Sequence, residues 1–336
     1  MAFTEIASAS VRQAIEDASD SNGFVPFDQF VEIALYNPDF GYYQTDRKRV
    51  GRDRSTDFFT ASSMKQAFGP ILLEAGIDLL KQSGIAPSEA KWIEIGAEPE
   101  AALLDGIKNP FLDTQTIRIG EELNLDGPLV VFSNELFDAQ PFHSVIHKNG
   151  SWRERGIEIE PQGIRFAERE TISPVIQPVV DALPQVAPEG YTVDLPLEAS
   201  NLLEKICQEP WNGAFIAFDY GKTWKALSYD THQGTARAYR NHRQAPNLLD
   251  AIGEQDLTCH ICWDWLETAL ERNHFQSIGL ESQESFVLKR APNFVSEAFA
   301  AGPGFGNQAK NQLRQLIHPS LMGQQFQALS GIRTRF

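Results

Sequence analysis

Residues 214–219 read Ala-Phe-Ile-Ala-Phe-Asp, an almost unbroken apolar run closing on a carboxylate. A strand of this kind has no solvent face. It needs cover on both sides, which a parallel sheet with crossover helices supplies. Trp92-Ile93-Glu94-Ile95-Gly96, Ile117–Ile119 and Leu129–Phe132 are further short strand candidates. From Ala61 to Gln82, Phe68, Ile71, Leu72, Ala75 and Leu79 fall on one helical face, with Gly84 and Pro87 as stop signals. Strand, helix and strand in this order predict an α/β domain.

Antiparallel material interrupts that pattern. Ser144–His147, the turn pair Asn149-Gly150 and Trp152–Ile159 predict a β-hairpin. Residues 161–190 are Pro-rich and polar, with a helix near 174–183. Tyr191–Asp194 and Leu257–Trp263 are strand candidates; Leu197–Cys207, 264–271 and 307–317 are helix candidates. The organisation expected is a helical and turn-rich segment at 1–60, an α/β domain from 61–145 and 190–336, and an inserted region at 145–190.

Composition narrows the function classes. The 336 residues carry 45 acids against 29 Lys and Arg, a net charge of −16, which argues against a general nucleic-acid binder. Three cysteines are too few for a disulfide scaffold. No apolar run reaches a membrane span, and the acidic N-terminus resembles neither a secretory nor a transit leader. A cytoplasmic protein without membrane or nucleic-acid partners is expected; the oligomeric state is left open.

Polar residues gather at the predicted strand ends. Glu94-Ile95-Gly96 ends one strand, where cofactors bind in doubly wound folds, or opens a helix. Ser133 to His143 holds Asn134, Glu135, Asp138 and His143, which can position a substrate or move protons, or merely cap a turn. Asp219-Tyr220-Gly221 is a second carboxylate at such a position, or a helix cap. Gly234 to Arg243 is the most basic short stretch; Arg237 and Arg240 can hold a carboxylate or form surface ion pairs. Cys259-His260-Ile261-Cys262 has metal-site spacing without a second pair, so no metal is expected. A metal-dependent hydrolase using these three residues is the weakest reading. Gly302 to Gly306 reads as a turn rather than a phosphate loop, since no strand precedes it.

In order along the chain, these pieces resemble the MidA family of S-adenosylmethionine-dependent methyltransferases, which includes the mitochondrial complex I assembly methyltransferase. The resemblance is carried by Ala34-Leu35-Tyr36-Asn37-Pro38, Gly41-Tyr42-Tyr43, Asp57-Phe58-Phe59-Thr60 and Phe68-Gly69. Asn134-Glu135 through Pro141, Asp219-Tyr220-Gly221, Gly234-Thr235 through Arg237, Tyr239 and His242 continue it. Asp256-Leu257-Thr258 with His260, then Met322-Gly323 with Phe326, complete it.

The resemblance implies a Rossmann-like class I methyltransferase fold: a mostly parallel seven-stranded sheet with an added substrate-side region. It implies S-adenosylmethionine as cofactor and symmetric dimethylation of a protein arginine as activity. Thr60, Glu94, Gly96, Glu121 and Asn134 are then cofactor residues. Glu135, Asp138 and Asp219 are catalytic, and Tyr43, His143, Tyr220, Arg237 and His242 bind substrate. The chain departs from the family at its cofactor loop, where Glu98 and Glu100 replace two glycines. Carboxylates there would repel the cofactor's own carboxylate. Ser62-Ser63 replaces a Pro-Glu pair, Thr56 replaces a glycine, and the stretch from Glu121 to Asn134 is short. The alternative expectation is therefore a catalytically inactive, cofactor-free binding or assembly factor that uses the retained substrate-side surface.

Overall fold

A computed structural model describes residues 3–44, 61–97, 102–300 and 306–334. The chain divides into two units: Met1–Arg47, Asp138–Ser200 and Lys222–Asp264 form one, and Lys48–Phe137, Asn201–Gly221 and Trp265–Phe336 the other.

The second unit is built on a six-stranded sheet. Its spatial order is Gln276–Ser282, Gln327–Arg333, Trp211–Asp219, Gly127–Asn134, Lys91–Ile95 and Asp113–Ile117. The last four strands are mutually parallel, and Gln327–Arg333 runs antiparallel to both of its neighbours. The helix Lys65–Ser83 ends at Gly84, whose φ of 75° is the left-handed stop expected from sequence.

Period-2 alternation decides which side chains face which helices. Phe218 meets Phe68 and Phe286 edge-on, at 5.2 and 5.1 Å between ring centroids. Phe215, three residues away and so on the opposite face, meets Phe275. Each such fully buried aromatic or aliphatic side chain stabilises by about 1.5–3 kcal/mol. Where Gly127–Asn134 pairs with Trp211–Asp219, Leu129 faces Gly213; a Cβ there would lie 2.1 Å from the Leu129 carbonyl oxygen, so only glycine fits.

The sheet differs from the seven strands expected: six are seen among the described residues. Only residues 118–126 separate the edge strand Asp113–Ile117 from Gly127–Asn134. A parallel crossover with its helix takes a dozen residues or more, so no further strand can be inserted there. The edge strand itself begins four residues earlier than expected, because Asp113–Thr116 is polar and exposed and carries no apolar signal.

The first unit is antiparallel. Phe24–Pro26, Ser151–Glu160, His143–Lys148 and Thr192–Leu195 are neighbours in that order, and Gly163–Arg169 pairs with Ser151–Glu160. Asn149 and Gly150, both at positive φ, make the expected hairpin turn. Arg237–Arg240 lies between Arg243–Ala245 and Asp256–Thr258 in a separate three-stranded sheet. The continuous strand expected over 257–263 is broken, because the Cys259 N–H leaves the ladder to donate to the Asp138 carbonyl at 3.0 Å. No helix among the described residues is long and apolar enough to cross a membrane.

Candidate functional site

In the second unit, the carboxyl ends of the four parallel strands are locked together. The Gly96 N–H donates to the Ile117 carbonyl at 2.8 Å, and φ of 80° turns the chain out of its strand. A Cβ on Gly96 would lie 2.8 Å from Leu136 Cδ1. The turn bearing Leu136 is tied to the central strand: the Glu135 N–H donates to the Phe218 carbonyl, and the Phe137 N–H to Asp219 Oδ2 at 3.0 Å. Asp219 is fully buried, and its Oδ1 also accepts the Tyr220 N–H at 2.8 Å. It therefore acts on backbone that holds the turn. Glu135 has φ of 51°, a conformation that costs a non-glycine residue about 1–3 kcal/mol, and its Oε1 accepts from Asn134 Nδ2 at 3.1 Å. Tyr220 sets its ring edge-on to Phe326.

Glu94 is buried in its strand, and its Oε2 accepts the Leu103 N–H at 2.9 Å. Burial pushes its carboxyl up to about 7, against the Leu103 hydrogen bond and the charge of Lys65. A cavity of about 200 Å³ opens beside it, lined also by Trp92, Asp105, Thr116 and Arg118. Glu121 is exposed, and its carboxylate accepts the Arg118 N–H, closing its own turn. Thr60, Glu98 and Glu100 lie outside the described residues, as do Thr56 and most of Gly302 to Gly306.

In the first unit, a polar face forms on the Arg237–Arg240 ladder. Residues directly opposite in an antiparallel pair share a face. Arg237 is opposite Thr258 and Tyr239 opposite Asp256, while Ala238 and Leu257 point the other way. The Tyr43 hydroxyl donates to Asp256 Oδ1 at 3.0 Å, and the Tyr36 ring stacks on Tyr43 at 5.6 Å. The Tyr36 hydroxyl donates to the Ala139 carbonyl at 2.8 Å. Asp138 and Asp256 are both buried. Burial foremost, then these two charges among others, push the Tyr36 and Tyr43 phenols well above their usual range, so both remain donors.

The turn before Arg237 is held by Asp194, which is buried. Its Oδ2 accepts the Thr235 and Ala236 N–H groups at 2.6 and 2.8 Å, and its Oδ1 accepts the Ser144 hydroxyl. His143 lies elsewhere, with Nδ1 3.1 Å from Asp28 Oδ1, and His242 is an exposed hairpin-turn residue at φ of 61°. The structure thus groups Glu94, Gly96, Asn134, Glu135 and Asp219 in one unit, and Tyr43, Asp138 and Arg237 in the other. Asp194, Asp256, Tyr36 and Tyr239 were not among the site residues expected from sequence. The available signal was an acid inside an apolar run, Thr-Val-Asp-Leu, and the alternation of Asp256 with Thr258. Cys207, Cys259 and Cys262 are all buried. Among the described residues no three His, Cys, Asp or Glu side chains are placed to hold a metal ion.

A largely parallel sheet with a glycine turn at its strand ends is an architecture shared by many nucleotide- and cofactor-dependent enzymes. Residues 102–280 match the profile of the family described as "Putative S-adenosyl-L-methionine-dependent methyltransferase". That is more than half of the chain, and the chain belongs to this family, the one whose motifs the sequence resembles. Among curated proteins it is similar to the mitochondrial protein arginine methyltransferase NDUFAF7 of Danio rerio, with 25% identity over 217 residues. That match covers 62% of this chain and 48% of the relative, so the chain spans about half the length of that protein. The Bos taurus counterpart is 21% identical over a 370-residue alignment covering 92% of this chain and 80% of that one. A crystal structure from Burkholderia thailandensis, bound to S-adenosyl-homocysteine, superposes with a TM-score of 0.84 at 20% identity. It covers 100% of this chain and 96% of that one, a likeness of fold.

Proposed function

We propose that the protein transfers a methyl group from S-adenosylmethionine to a guanidinium nitrogen of a protein arginine. The observation that carries this reading is the locked set of strand ends around Gly96, Leu136 and Asp219. Together with family membership, it supplies a fixed backbone surface at the position where such folds bind cofactor. The described residues suit that role in one concrete respect: glycine at 96 lets the chain leave its strand at φ of 80° packed against Leu136, a turn that a Cβ would block.

S-adenosylmethionine supplies an electrophilic methyl group on a sulfonium. The protein's share is alignment and charge. Glu94 holds the Leu103 backbone, Asp219 fixes the turn through Phe137, and Asn134 orients the Glu135 carboxylate. Asp138 and Asp256, flanked by the phenols of Tyr36, Tyr43 and Tyr239, suit a guanidinium, which carboxylates orient in fork geometry and aromatic faces attract. The names of the NDUFAF7 relatives support arginine as the acceptor. In this reading Glu94, Gly96, Glu121, Asn134 and Thr60 serve the cofactor; Tyr43, Asp138 and Arg237 serve the substrate.

Calorimetric titration with S-adenosylmethionine tests it. Binding at about 1–100 μM, within the ordinary range of enzyme KM values, is expected. No binding to a folded sample would sink methyl transfer. That outcome favours the second reading, a cofactor-free binding factor, which is motivated by Glu98 and Glu100 in the loop and by the short stretch 118–126.

A further inference from the structure

Arg237 and Lys222 are partly buried cations in a strongly acidic chain, yet neither meets a carboxylate at ion-pair distance among the described residues. The Arg237 guanidinium donates to the carbonyl of its neighbour Ala236 at 2.7 Å. Three segments converge on the same place. Arg237 stands opposite Thr258, whose hydroxyl is buried, 3% exposed, and without a hydrogen-bond partner. The His260 N–H donates to the Thr235 hydroxyl at 3.1 Å, and the short strand ending at Lys222 pairs with Ile261–Cys262, directly after His260. Burial, then the charges of Lys222 and Arg237, push the His260 imidazole down to about 4, so it is neutral at pH 7.

Two partly buried cations that both act on His260, with no carboxylate at ion-pair distance among the described residues, favour an anion beside them. The turn leading to Arg237 is held rigidly by Asp194, so the arrangement is pre-organised rather than incidental. The same ladder face carries acids at its other end, where Asp256 stands opposite Tyr239, with Asp138 also acting on the Tyr239 phenol. Arg237 and Tyr239 are two residues apart on one strand, about 7 Å by strand geometry. An extended peptide repeats its side chains on one face at the same interval.

We infer that Arg237, Lys222, Thr258 and His260 form an anion subsite that takes a carboxylate of the substrate protein, from an acidic residue about two positions from the target arginine. This rests on the reading of Asp138 and Asp256 as the arginine end. The face is then bipolar, and it selects Arg-x-Glu or Glu-x-Arg patterns over arginine alone.

The test follows His260 by NMR in the ¹⁵N-histidine-labelled whole chain, the signal assigned by its loss in His260→Gln. Sodium acetate should raise the His260 pKa in the native protein, because a nearby negative charge favours imidazolium. It should not do so in the Lys222→Gln/Arg237→Gln double variant, with folding verified by an unchanged thermal midpoint. Of the probes Ac-Arg-Ala-Glu-Ala-NH2 and Ac-Arg-Ala-Gln-Ala-NH2, the first should bind about tenfold more tightly, the scale of one charge-assisted contact, and only in the native protein. An acetate response missing in the native protein, or equal in the double variant, overturns the subsite; so does equal binding of the two peptides. An acetate response with no binding of either peptide removes the arginine end while the anion subsite stands.

Discussion

Glu94 is a carboxylic acid whose hydrogen-bond acceptor role does not need a charge. Its carboxyl is raised from 4.5 to about 7 by burial, so the folded state holds its proton more tightly than the unfolded chain does. The Glu94 contribution to stability is therefore full below pH 4.5 and is lost as pH rises toward and through 7, by up to about 3 kcal/mol. Glu94→Gln keeps the acceptor for Leu103 and removes the titration. Denaturant midpoints measured from pH 5 to 8 should fall more steeply for the native protein than for the variant; parallel profiles would refute this. At Gly96, alanine must adopt φ near 80° against Leu136, so Gly96→Ala should cost about 1–3 kcal/mol and weaken S-adenosylmethionine binding, both measurable by calorimetry. These two residues were legible in the sequence because a strand ending in glycine has a meaning that does not depend on distant partners. Asp194 and Asp256 were not. What makes each matter is the backbone or phenol that tertiary structure brings to it.

The turn before Arg237 depends on one side chain from another strand. Asp194→Ala would leave the Thr235 and Ala236 N–H groups and the Ser144 hydroxyl without their acceptor, a loss of about 2–4 kcal/mol. Chemical denaturation should show it as a lower midpoint. Elements with strong periodicity were readable in advance: Lys65–Ser83 through its apolar face, and Trp211–Asp219 through its unbroken burial. Gln276–Ser282 and Gln327–Arg333 were not, although Gln327–Arg333 occupies a central place beside Trp211–Asp219. Its sequence Gln-Ala-Leu-Ser-Gly-Ile-Arg mixes polar and small residues, and its burial comes from neighbours on both sides rather than from hydrophobic content. The buried Arg333 of that strand finds its acceptors in the Cys207 and Glu209 carbonyls, which no local pattern announces.

Over the whole molecule, a ligand that binds only the folded state stabilises it by mass action. S-adenosylmethionine at about 100 times its Kd should add about 2.7 kcal/mol, seen as a thermal midpoint raised by a few degrees. An unmoved midpoint at that concentration would contradict cofactor binding. The net charge of −16 is a property of the total, and the bipolar face in the first unit shows how little a total says about one surface. The truncated crossover at residues 118–126 has a different kind of consequence. It leaves Asp113–Ile117 as the outermost strand of its sheet among the described residues, with one row of backbone amides and carbonyls unclaimed by a neighbouring strand. Such an edge is a template on which other chains can aggregate. The run Asp-Thr-Gln-Thr, charged at its start and exposed throughout, keeps that template unattractive. Shortening the crossover thus obliges the chain to keep this strand hydrophilic, and Thr114→Val/Thr116→Val should promote self-association on concentration, detectable by light scattering.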